Sequence, residues 1–149
     1  MLKRTHLAIG ICIALYFLPH VEHKLLFIPI VIIASLLPDI DSVSSSMGAW
    51  RFFRPVQMVV NHRGFFHSYT FCLAITLALT FFYPISALPF FLGYSFHLLA
   101  DSFTVQGIKP FPPFKAESKG MIRTGSKVEQ GILFVFIMID VILFVQLFI

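Results

Sequence analysis

The stretch Gly93-Tyr-Ser-Phe-His97-Leu-Leu-Ala-Asp101-Ser-Phe-Thr104 sets an imidazole and a carboxylate four residues apart inside an apolar run. On a helix this spacing puts both side chains on one face, one turn apart, where two ligands can share a metal. Within lipid, such a pair is costly unless it faces a protein interior, a wet cavity or an ion. Two readings stand: a functional intramembrane site, or an intrahelical His–Asp hydrogen bond that only helps helices associate.

The surrounding composition fixes the class. The chain has 149 residues, 58% hydrophobic and 12% charged, with 19 Phe; its mean hydropathy is +0.88. A soluble domain carries about 25% charged residues, so we expect one all-α integral membrane domain over residues 1–149. A net charge of +4 and a pI near 9.3 would suggest nucleic acid in a soluble protein. Here the basic residues lie between apolar runs, where membrane orientation accounts for them, and no nucleic-acid partner is expected. Cys12 and Cys72 fall within apolar runs without C-x-x-C spacing, which indicates neither a disulfide framework nor a thiolate metal site.

Working outward, the apolar runs predict about five transmembrane helices. Lys3-Arg4 followed by residues 7–19 resembles a signal peptide, but no small-x-small cleavage site follows, and the run is read as an uncleaved first helix. Residues 25–38 form a second run that ends in the acidic turn Leu37-Pro38-Asp39-Ile40-Asp41. Trp50-Arg51-Phe52-Phe53-Arg54 reads as a short interfacial helix with its aromatics at headgroup level. A third run covers residues 65–84 and a fourth residues 88–100. The Pro-rich segment 102–130 is expected to be an irregular lid or hairpin, because its prolines forbid a continuous helix. The last run, 131–149, has 19 residues against the roughly 20 a span needs.

Alternating helices with a cytoplasmic N-terminus place Lys3, Arg4, Arg51, Arg54, Arg63, Lys109, Lys115, Lys119, Arg123 and Lys127 inside and only Lys24 outside. That asymmetry is a positive-inside signal. The same topology gathers His6, Asp39, Asp41, His62, His67, His97, Asp101 and Glu129 at the cytoplasmic ends of the helices. Imidazole with carboxylate suits zinc or another divalent first-row metal. Glu129 is either a ligand or the favoured acid in the first turn of the last helix. His20 and His23 fall on the opposite face, about 30 Å of hydrocarbon away, and read as ordinary solvated histidines. Asp140 lies eleven residues beyond Glu129, roughly 16 Å deeper on a helix, too deep for the same ion. It reads as a hydrogen-bonded carboxyl in the bundle or a proton relay.

Thr5-His6, Leu37-Pro-Asp-Ile-Asp41, His62-Arg-Gly-Phe-Phe-His67-Ser68, the Gly93–Asp101 string with Thr104 and Gly107, and Glu129 resemble the membrane-bound metal-dependent hydrolase family of prokaryotic inner membranes. Ser42-Val43 departs from the His-Pro that many relatives carry there. A remoter similarity runs to the zinc-dependent phospholipase C and single-strand nuclease superfamily, through His6, the string ending at Asp101, and Gly125-Ser-Lys-Val-Glu129. Gly125 and the region of Gly107 stand where that superfamily has histidines, so the resemblance implies one or two metal ions, zinc by type, rather than three.

The expected chemistry is hydrolysis, with the ion acting as a Lewis acid and lowering the pKa of a bound water toward ~7. His6, His62, His67, His97 and Asp101 are the expected ligands, and Asp39 and Asp41 divide between ligand and general base. Arg63 either holds a phosphate or anchors the positive-inside loop. Two functions follow: a hydrolase cleaving a phosphoester of a membrane lipid or lipid-linked substrate, or a non-enzymatic protein that binds or moves a divalent metal. The clustering of ligands at one face favours the hydrolase.

Overall fold

A computed structural model describes residues 1–41 and 65–149, with side chains for all of these except Ile40 and Asp41. The expected interfacial helix, Ser42-Val43, His62 and Arg63 lie outside the described residues, as does the Asp41 side chain. Among the described residues there are five α-helices and no strand: α1 (Lys3–Phe17), α2 (Lys24–Leu36), α3 (Tyr69–Phe82), α4 (Pro84–Ser102) and α5 (Lys127–Gln146). Short 3-10 turns, Leu18–His20 and Leu37–Asp41, extend α1 and α2, and a third, Phe65–His67, precedes α3.

Local chemistry sets these boundaries. Ser68 caps α3, its Oγ accepting from the Phe71 amide at 3.2 Å, which satisfies one otherwise orphaned donor. Pro84 then separates α3 from α4, and residues 84–87, expected to lie between the third and fourth runs, are instead the first turn of α4. The residue before a proline is forced out of the helical region, and Tyr83 sits at φ −146°, ψ 68°. Pro84 itself starts α4, where its missing N–H costs nothing. α5 opens with a Ser-x-x-Glu pattern in which Ser126 Oγ accepts from the Glu129 amide at 3.3 Å.

The central pair is α2 and α4, with α1 packed on both, α3 on α4, and α5 on α1. Gly93 explains how closely the central pair approaches. A Cβ there would stand 2.3 Å from the Val31 carbonyl oxygen, and one at Gly10 would stand 2.4 Å from Ser35 Oγ. Small residues let helix backbones come together where lipid provides no hydrophobic drive between helices. Ile13, Phe27, Val31 and Leu92 fill the α1–α2–α4 side of the core; Cys72, Phe90, Tyr94 and Leu98 fill the α3–α4 side.

Outside this core the surface is apolar: Leu73, Leu77, Phe81, Phe134 and Ile142 are all exposed. Among the described residues, α5 is the one helix long and apolar enough to cross a membrane by itself, and α3 is apolar but shorter. Of the segment 102–130, expected to be an irregular lid or hairpin, residues 103–126 are a non-helical hairpin with one parallel and one antiparallel bridge, whereas Lys127 onward belongs to α5. Ile108 and Ser118 exchange backbone hydrogen bonds at 2.9 Å each way, and the Tyr69 amide donates to the Pro110 carbonyl at 2.8 Å, pinning the hairpin to the start of α3.

Candidate metal centre

The order of elements brings the start of α1, the turn after α2, the turn before α3 and the end of α4 to one end of the bundle. Asp101 is the hub, with no exposed surface. Its Oδ2 lies 2.9 Å from His67 Nε2 and 3.9 Å from His97 Nε2, and its Oδ1 lies 3.3 Å from His6 Nε2. The Met1 nitrogen also contacts Oδ1. His6 and His97 stack with ring centroids 3.7 Å apart, and His67 meets His97 edge-on at 5.1 Å. Asp39 approaches from the α2 turn, its Oδ1 3.9 Å from His97 Nε2.

His97 and His67 are held from behind. His97 Nδ1 donates to the Ser35 carbonyl at 2.7 Å. This fixes the tautomer and leaves Nε2 as a lone pair aimed among the carboxylates, the arrangement that metal-ligating histidines use. His67 is set by its own turn: Tyr94 Oη donates to the Phe66 carbonyl at 2.5 Å, and Ser68 Oγ to the Phe65 carbonyl at 2.5 Å. Thr104, buried after α4, donates from Oγ1 to the Asp101 carbonyl at 2.7 Å and closes the helix end. Burial, the largest influence, raises the Asp39 carboxyl above the ordinary carboxylate range, and His6 works against it.

The fit to a cation is tested by the polar atoms left over. His6 Nδ1 and Nε2, His67 Nδ1 and His97 Nε2 are buried without a hydrogen-bond partner among the described residues. An unsatisfied buried polar atom costs about 1–3 kcal/mol, so four in one cluster need a reason, and one ion meets several of them at once. Two sets offer ligand atoms within 4.8 Å of one another: His6, Asp39 and His97, and His67, His97 and Asp101. These residues therefore suit one or two divalent ions with nitrogen and oxygen ligands.

Of the residues expected from the sequence, His6, Asp39, His67, His97 and Asp101 meet in this cluster. Glu129 stands outside both sets. Its Oε1 accepts from the Leu2 amide at 2.5 Å and Thr5 Oγ1 at 3.0 Å, and its Oε2 from the Gly125 amide at 2.5 Å. Gly125 makes that bond from φ +81°, a conformation few other residues adopt cheaply. Glu129 thus works as a strut between the starts of α1 and α5. Asp140 lies deep in α5, beside Cys12 of α1. His20 and His23 are exposed beside Pro84, at the other end of α4. Ser35 was not foreseen, because its contribution is a backbone carbonyl and carries no side-chain signal. The Glu129 strut had a visible signal in the Ser126-x-x-Glu129 pattern.

No solved structure matches the chain. Two relatives named Inner membrane protein YdjM, from Escherichia coli (strain K12) and Shigella flexneri, are each 38% identical over 91 residues, covering 54% of this chain and 46% of the relative. The match thus spans about half the length of either relative. The model of the YdjM inner membrane protein family matches residues 1–149, and with its apolar surface and one buried polar end the chain belongs to that family of inner membrane proteins.

Proposed function

We propose that this chain is a membrane-embedded, metal-dependent hydrolase that cleaves a phosphoester of a lipid or lipid-linked substrate at the cytoplasmic face. The proposal includes a bundle of about five spans with a cytoplasmic N-terminus, motivated by the basic asymmetry of its loops. The observation that carries it is the set of four buried, unpartnered imidazole nitrogens around Asp101 and Asp39.

His6, His67, His97 and Asp101 would hold the ion, of zinc type, with Asp39 at the rim. When bound, it supplies Lewis acidity toward a phosphoryl oxygen and makes water acidic enough to ionise near neutral pH. The two aspartates differ in access: the Asp39 side chain is 22% exposed and that of Asp101 1%. Asp39 is therefore assigned to exchange a proton with solvent, and Asp101 to hold and orient the three imidazoles. Asp41 remains the alternative base, and Arg63 with His62 the candidates for phosphate and further ligation.

A second reading, divalent-metal binding or transport without hydrolysis, draws on Asp140, whose Oδ1 is buried without a partner beside Cys12. Purified protein should carry zinc by elemental analysis and release phosphate or a phosphorylated headgroup from lipid vesicles. Full zinc occupancy with no cleavage of any lipid phosphoester, together with zinc flux through the vesicle wall, would decide for the second reading.

A further inference from the structure

A cavity of about 200 Å³ opens between α1, α4, α5 and the hairpin, lined by Met1, Ile9, Phe96, Leu99, Ile122 and Phe136. Three properties say what fits it. Its walls are apolar, and its volume lies below the roughly 300–1,000 Å³ that enclose a whole small ligand, so it takes part of a molecule. One wall is α5, the helix long and apolar enough to cross a membrane, whose apolar stretch is only 6% buried, so in an inner membrane that wall would meet hydrocarbon. Its inner wall backs onto the metal centre: Met1, which lines it, contacts the Asp101 carboxylate through its nitrogen.

Basic residues flank its lining in the chain, and we read them as its rim. Lys3 and Arg4 follow the lining residue Met1, Arg123 follows Ile122, and Lys127 starts α5; all four are exposed. Cations at headgroup depth attract anionic lipids. We infer that this groove seats an acyl chain of an anionic lipid, with the headgroup held by the basic rim and its phosphoester directed to the Asp101 end. The inference rests on the hydrolase reading for the fate of the headgroup, and on the groove alone for the seating of the chain. A chain that enters from a bilayer gains nothing from leaving water, so selection falls to the rim charges and to shape.

The full-length protein in phosphatidylcholine vesicles, with a trace of phosphatidylglycerol carrying a diazirine along its acyl chain, tests this. After photolysis, peptide mapping should place label on Phe96, Leu99 and Phe136 well above the exposed reference residues Leu77 and Ile142. A phosphatidylcholine probe of the same chain should label the groove several-fold less. Leu99→Trp and, independently, Ile132→Trp should lower the groove label several-fold with zinc content unchanged. Uniform labelling of groove and reference residues, equal labelling by both probes, or cross-links joining two copies through Phe136 would each overturn the inference. Groove labelling in a protein that holds no zinc overturns the hydrolase reading and leaves the groove standing. Zinc and turnover with uniform labelling does the reverse.

Discussion

Asp101 and Glu117 are both carboxylates ringed by bases, and they occupy opposite physical regimes. Asp101 is sealed among His6, His67 and His97. Glu117, on the hairpin, reaches Lys119 at 2.5 Å and Lys109 at 3.7 Å with 40% of its side chain exposed. Burial makes the difference. A sealed carboxylate cannot fall back on water, so its neighbours must be fixed and complete, whereas an exposed ion pair is screened and entropically loose. His20 and His23 repeat the lesson: the same residue type at the exposed end of the bundle has, among the described residues, no side-chain hydrogen bond or ion pair. Among the described residues, only the buried end brings ligand-type side chains within reach of one another.

The sharpest way to break this contrast is to remove the hub. Asp101→Ala leaves the His67 imidazole and the Met1 amine without their acceptor and takes the central carboxylate from the cluster, and breaking a buried pair costs about 3–5 kcal/mol. Denaturation of the detergent-solubilised protein should show that loss, and elemental analysis should show zinc falling sharply, as it should for His97→Ala. His23→Ala should change neither. Equal zinc retention in Asp101→Ala, His97→Ala and His23→Ala would erase the distinction between the two ends.

Next in size is a change that leaves every ligand in place. Gly93→Ala puts a methyl 2.3 Å from the Val31 carbonyl oxygen, and overpacking of that kind costs about 1–3 kcal/mol. Because the Ser35 carbonyl that orients His97 lies on the same face of α2, forcing α2 from α4 should also weaken zinc binding, on the order of the 10–100-fold seen when a ligand's supporting partner is lost. A zinc competition titration measures it. Unchanged affinity would mean that His97 does not depend on its backbone support.

Much of this was legible in the sequence, and the gaps have physical causes. The apolar runs gave the five described helices, and Pro84 gave the break between α3 and α4. Helix alternation puts His6, Asp39, His67, His97 and Asp101 at one end of the bundle, but which residues meet there it does not decide, since Glu129 shares that end and stands outside both ligand sets. Gly93 was visible only as part of a motif; its meeting with Val31 depends on how two helices cross, which no local pattern encodes. Ser35 acts through its backbone. Glu129 was placed at the right end with two open roles, and the choice between them rests on donors from residues 2, 5 and 125, contacts that exist only after the chain has closed.

The strut gives a smaller effect. Ser126→Ala removes the α5 cap, worth about 0.5–2 kcal/mol, while leaving the carboxylate of Glu129 on its three donors. Stability should fall by that amount, with zinc content kept. Loss of zinc in this variant would mean that the start of α5 belongs to the centre itself.

The smallest effect belongs to Glu117, and it tests the exposed half of the contrast. The Lys119 ammonium, bonded to the carboxylate, holds Glu117 below the ordinary glutamate range, with Lys109 adding to it. A group whose folded pKa is depressed contributes stability above its unfolded pKa and loses it as pH falls through the folded value. The contribution should therefore be complete at neutral pH and fade only in acid, below the usual glutamate titration. Since all three side chains are exposed, added salt should remove most of it at any pH. Amide exchange at Ile108 and Ser118, the hairpin's paired residues, reads the effect directly. Protection should drop slightly on acidification in low salt, change little in high salt, and be flat in Glu117→Gln. A large, salt-independent drop that Glu117→Gln abolishes would show the hairpin charges behaving as a buried network, and the contrast with Asp101 would no longer rest on exposure.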